Sequence, residues 1–156
     1  MKLEYTHTYE ADPQGVVALM RTKEFLEDVA THAGATSQEV QVADDHTTLA
    51  MRLPVPGGLT KFVGETIGIA MVFRFGDVRP DGVVPGTVEV DVPGMPVDVA
   101  AAAELRPSGS HTVARYEGDL KVRIPLVGKK VESQVEPFIT DAFAGLERRA
   151  KDWLAR

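Results

Sequence analysis

The chain has 156 residues, a hydrophobic fraction of 44%, a charged fraction of 26% and a formal net charge of −6. That length suits one domain spanning 1–156, able to bury enough surface to fold without a metal or a disulfide. It contains no cysteine and no asparagine, which excludes disulfides, thiol catalysis, thiolate metal sites and N-glycosylation, and its mild acidity argues against a nucleic-acid footprint.

The chain opens on MKLEYTHTYE, where Leu3, Tyr5, His7 and Tyr9 alternate with polar residues. Alternation of this kind predicts a half-buried strand over residues 2–10. It also lacks the continuous apolar run of a secretory signal, so a cytoplasmic location is expected. Asp12-Pro13 offers an N-cap followed by a first-turn proline, which predicts a short helix through Met20. Thr22 is placed to cap a second helix carrying Phe25, Leu26, Val29 and Ala30 at helical spacing, and Gly34 falls where a helix C-cap belongs.

From Thr36 to Pro125 the pattern is strand after strand. Alternation marks strands around Val40–Val42, Leu49–Leu53, Glu65–Phe75, Thr87–Val92, Val97–Arg106 and His111–Ile124. The segment 54–64 breaks the run with Pro54, Pro56, Gly57 and Gly58, and 59–63 reads as one helical turn. Asp81-Gly82 and Ser108-Gly109 are turn dipeptides. The longest apolar stretch, Ile67–Phe73, includes Gly68 and falls far short of the roughly 20 residues a membrane span requires.

After Gly128 the period changes. Val131, Val135, Phe138, Ile139, Ala142, Leu146, Ala150 and Trp153 recur at three-and-four spacing, with charges on the other face. Pro137, inside this helix, predicts a kink near 133–137. Six consecutive strands with tight turns predict an antiparallel meander with one apolar face, and the C-terminal helix is the element long enough to cover it. The expected fold is therefore α+β: a helix-grip arrangement in which a curved antiparallel sheet of about seven strands (β-α-α-β6-α) wraps around a long C-terminal helix.

Several segments carry a family resemblance: LPVPGG (53–58), KFVGET (61–66), VPGMPV (92–97), GDLKVRIPLVGKKVE (118–132) and AKDWLA (150–155). On these the chain resembles the START/Bet v 1-like (SRPBCC) superfamily and, more narrowly, the bacterial family called domain of unknown function 2505. The segment IGIAMVFRF (67–75) departs from it by lacking a tryptophan. The resemblance implies a cavity between sheet and helix. The superfamily includes lipid and sterol carriers, hormone receptors and polyketide aromatase/cyclases, and fold does not choose among them.

Alternation gives the inward-facing residues. The candidate ligand-binding set is Tyr5, His7, Tyr9, Met71, Phe73, Phe75, Val99, Ala101, Tyr116, Phe138 and Ala142. Small residues at 101, 103 and 142 leave volume, while aromatic residues and methionines supply adaptable walls. Buried phenols and the His7 imidazole need hydrogen-bond partners, which a ligand or the protein itself could supply. Nothing points to a metal or another cofactor: the four histidines are scattered without ligand spacing, no serine sits in GxSxG, and phosphate-loop patterns are missing.

Three functions fit. The first is a binding or carrier protein whose partner is a small apolar molecule: a lipid, a fatty acid or a polyketide-like aromatic. The second is a cyclase/dehydratase-type enzyme in which His7 and a tyrosine polarise a carbonyl, which requires His7 and Tyr116 to meet across one pocket. The third is a non-catalytic interaction domain with a filled core, presenting segment 54–58 or a strand edge. Sequence does not give the oligomeric state.

Overall fold

A computed structural model describes residues 1–55 and 57–156; Pro56, within the LPVPGG segment, lies outside the described residues. Seven strands, β1 (Lys2–Tyr9), β2 (Ser37–Val42), β3 (Thr47–Pro54), β4 (Thr66–Phe75), β5 (Val84–Asp91), β6 (Val97–Ser108) and β7 (His111–Val122), form one antiparallel sheet. Its order is β1-β7-β6-β5-β4-β3-β2. From β2 to β7 each strand thus pairs with its sequence neighbour, as a meander must, and β1 joins the far edge beside β7.

Helices α1 (Pro13–Met20) and α2 (Lys23–His32) connect β1 at one edge of the sheet to β2 at the other. They therefore span the opening that the curved sheet leaves. Asp12 caps α1 as its sequence suggests, its Oδ1 accepting from the Gly15 amide at 2.8 Å. Thr22 stands at the N-cap of α2, but its hydroxyl turns back to donate to the Ala18 carbonyl and caps nothing. Gly34 follows α2 with φ +87°, the left-handed conformation that ends helices. The β6–β7 turn sits one residue later than expected, since Ser108 still pairs with His111 and the loop residues are Gly109 and Ser110.

Two glycines in mid-strand are closed in by the neighbouring strands. Gly118 of β7 lies between Leu3 and Ala101 in register, and Gly86 of β5 lies between Phe75 and Ala103. A Cβ on Gly118 would stand 2.7 Å from the Ala101 Cα and collide with the Ala100 carbonyl oxygen; on Gly86 it would stand 2.6 Å from the Arg74 carbonyl oxygen. The neighbouring backbone has closed over both positions, which a sheet achieves only where a side chain is missing.

The helical turn read at 59–63 forms α3 (Thr60–Val63), and the long helix α4 (Gly128–Leu154) runs through Pro137 and continues on both sides. Its fully buried residues are Val131 near the start and Phe143, Leu146 and Ala150 in the second half. Val131 packs with Leu3, Val99, Leu120 and Val122. Phe143, Leu146 and Ala150 join a larger core with Phe25, Leu26, Leu49, Phe73 and Tyr116. Between these two anchors, residues 132–142 of α4 are all partly exposed. The helix is therefore buried most deeply toward its two ends, while Val135, Phe138 and Ile139 of its middle turns pack partly exposed against the two cores.

Candidate functional site

The space under α4 forms two cavities. The larger, of about 750 Å³, is open on one side. Leu49, Met51 and Leu53 of β3 with Met71 and Phe73 of β4 make its floor, and Leu26 and Val29 of α2 face Phe138, Ala142, Phe143 and Leu146 of α4 across it. The smaller, of about 80 Å³, lies toward the start of α4 among Ile69, Val99, Met95, Val122 and Val135. Phe138 is common to both linings. The larger volume falls within the range of small-molecule sites, roughly 300–1,000 Å³.

The sequence candidates separate into three groups. Met71, Phe73, Phe138 and Ala142 line the larger cavity, and Val99 lines the smaller. Phe75 and Ala101 pair with Gly86 and Gly118 respectively and pack into the space those glycines leave. Tyr5, His7, Tyr9 and Tyr116 line neither cavity. Their rings form a layer behind Phe143, which stacks on Tyr5 with centroids 4.6 Å apart and meets Tyr116 edge-on at 5.4 Å.

That layer satisfies itself. The Tyr9 hydroxyl lies 2.8 Å from His7 Nδ1 and 3.1 Å from the Tyr116 hydroxyl. Burial lowers the His7 pKa, against a smaller opposing pull from Glu147, so the ring is neutral at pH 7. Tyr9 then donates to Nδ1 and accepts from Tyr116, giving both phenol protons an acceptor; the opposite polarity would leave the Tyr116 proton without one. Burial also pushes the Tyr116 phenol up to about 12 and the Tyr9 phenol well above its usual value, so neither ionises near neutrality. Tyr5 donates to Thr140 Oγ1 at 3.1 Å, which in turn donates to Glu136.

This chain of hydrogen bonds has an order of importance. Tyr9→Phe strands two buried partners, whereas Tyr116→Phe strands none. Each unsatisfied buried group costs about 1–3 kcal/mol, so urea unfolding should show Tyr9→Phe losing about 2–4 kcal/mol and Tyr116→Phe about 1 kcal/mol. Equal losses would contradict the assignment.

His7 also gives a pH dependence. An unfolded imidazole takes its proton near pH 6.5, and the folded His7 only at lower pH. Just below pH 6.5 the unfolded chain binds more protons, so stability falls as pH drops through that window. His7→Gln keeps an acceptor for Tyr9 without titrating. Its melting temperature should fall less than the wild type's between pH 7.5 and 5.5, and parallel curves would refute the role given to His7.

Residues outside the sequence candidates complete the larger cavity. Leu26 and Val29 of α2, with Ala33 at its C-cap, form one wall; the helical spacing of Leu26 and Val29 was legible, but not that the face was shared between core and cavity. Gly145 lines the space from α4, in a helix interior where glycine is unfavourable. A Cβ there would meet only the Arg148 Nη2, at 3.6 Å. The rim carries His32, Asp141, Arg148, Arg149, Lys151 and Asp152. Arg149 Nε donates to Asp28 Oδ2 at 2.8 Å and Nη1 to Asp152 at 2.7 Å, and Trp153 Nε1 also donates to Asp28, tying α4 to α2 beside the mouth. Among the described residues no cluster could hold a metal ion, and no helix is long and apolar enough to cross a membrane.

A family model described as "Protein of unknown function (DUF2505)" matches residues 4–154. The chain belongs to that family. No curated protein matches it by sequence. Among solved structures, this DUF2505 member is similar to a STAR-related lipid transfer protein from Xanthomonas axonopodis (15% identity, TM-score 0.64, covering 99% of this chain and 86% of that one). It is similar too to the Zhui aromatase/cyclase from a Streptomyces species (14%, 0.59, 100% and 94%). A START superfamily protein from Mycobacterium smegmatis also matches (10%, 0.58, 97% and 98%). At these identities the likeness is one of fold, and it places the chain among START/Bet v 1-like helix-grip structures.

Proposed function

We propose that the protein binds or carries a small apolar molecule in the larger cavity between β3, β4, α2 and α4. The observation that carries this is the contrast between that cavity and the buried polar rings. The floor supplied by the sheet is entirely Leu, Met and Phe, while His7, Tyr9 and Tyr116 are occupied with one another behind Phe143. The sheet side of the site thus offers burial of apolar area, and the His7–Tyr9–Tyr116 set aims no acid or base into it. A cyclase-type mechanism needs His7 and Tyr116 facing a shared cavity, and a filled-core interaction domain needs no cavity of this size; both are less well supported. The similar lipid-transfer and aromatase/cyclase structures agree with a ligand-holding fold without naming the ligand.

Burial is worth about 0.8 kcal/mol per methylene, so affinity within an n-alkyl series should rise about fourfold per added carbon until the cavity is full. Displacement of a fluorescent fatty-acid probe measures that slope, and native mass spectrometry of gently purified protein tests for a co-purifying ligand. No displacement by any chain length and no bound mass would sink the proposal.

A further inference from the structure

We infer that the cavity takes a single-chain molecule ending in one carboxylate, with its chain on the β3–β4 floor and its head at the α4 rim between Arg148 and Lys151; this rests on the ligand-binding reading above. Polarity in the larger cavity is one-sided. Every charged residue of its lining comes from α2 or α4, and none from the sheet. A ligand entering at the open side therefore meets charge at the mouth and only apolar surface beyond it.

The rim cations are not equivalent. Arg149 is committed to Asp28 and Asp152. Arg148 and Lys151 are exposed, and among the described residues neither has an ion-pair partner. They stand three apart on the helix, so they share a face. Asp141 is the one rim carboxylate without an ion pair among the described residues. It lies about 10 Å along the axis from Arg148 and about 15 Å from Lys151, at 1.5 Å per residue. A negative head is thus drawn toward the Lys151 end and away from Asp141.

Charge pairing selects the head group. At the mouth Arg149 is matched by Asp28 and Asp152, which leaves Arg148 and Lys151 as the cations without an ion pair among the described residues. A carboxylate presents an oxygen to each of them, whereas an uncharged head presents no charge to either. The contact is charge-assisted yet solvent-exposed, so its contribution is modest and salt-sensitive.

Dodecanoate and dodecanol, equal in chain and different in head, separate the two terms by isothermal titration. The measured quantity is the preference for dodecanoate over dodecanol. It should fall about 5- to 10-fold from wild type to Arg148→Gln/Lys151→Gln, the scale of two exposed charge contacts. Lys129→Gln/Lys130→Gln removes the same charge from the opposite end of α4 and should keep the wild-type preference. A preference unchanged in the rim variant, or lowered equally in both variants, overturns the head-group assignment while dodecanol binding still upholds the cavity. Failure of both compounds to bind the wild type overturns the cavity reading and this one together.

Discussion

Gly118→Ala is expected to be the most damaging single methyl group that can be added to this sheet. Its Cβ would have to displace the Ala100 carbonyl oxygen and the Ala101 Cα, both backbone atoms of the adjoining strand. A backbone held in a ladder on both sides cannot give way as a rotamer can. Overpacking of this kind costs about 3 kcal/mol or more, which at this size lowers the melting temperature by about 6–12 °C. Gly68→Ala is the matched comparison. It also lies in mid-strand, but its Cβ would meet only the Arg52 Nη1 at 3.3 Å, the movable end of a long side chain. That variant should melt within about 2 °C of the wild type. If Gly118→Ala is equally harmless, the sheet is not as tightly closed at β6–β7 as described.

Ala142→Trp is expected to abolish binding without unfolding the protein. Ala142 lies on the partly exposed stretch of α4 between its buried ends and lines the larger cavity. An indole there occupies space a ligand would use and adds its own apolar contact with the floor. The helix-propensity cost of the exchange is about 0.5–0.7 kcal/mol, so the melting temperature should move by no more than about 3 °C. The apparent Kd for a fluorescent fatty-acid probe should rise at least about tenfold, the equivalent of two methylenes left in water. Unchanged probe affinity with an intact fold would place the probe elsewhere.

The fold was legible because each of its signals was local. Alternation in residues 2–10 and 111–122, the Asp12-Pro13 start and the period change at Gly128 each follow from chain geometry. Where one local signal was read too literally, another local contact intervened. Thr22 had the chemistry of a cap, yet its hydroxyl points one turn back and donates to the Ala18 carbonyl, away from the α2 amides.

The site was legible only in part, for a related reason. Alternation tells which side chains point inward but not how far inward space extends. Tyr9 and Met71 share the inward parity, yet Tyr9 ends in a closed hydrogen-bonded set and Met71 faces open volume. The difference arises where α4 is anchored, at Val131 and at Phe143–Ala150, and no strand pattern encodes that. Gly118 and Gly86 interrupt their strands plainly enough, but only the packed sheet shows that backbone fills the places of their side chains.

The five methionines allow the central claim to be read residue by residue. Met51 and Met71 line the larger cavity, Met95 the smaller, Met20 is buried at the end of α1, and Met1 is at the chain terminus. In protein labelled with 13C at the methionine methyls, titration with dodecanoate should shift the Met51 and Met71 resonances saturably and leave Met1 and Met20 in place. Saturating ligand that leaves both Met51 and Met71 unmoved would contradict a binding site in the larger cavity between the sheet and α4.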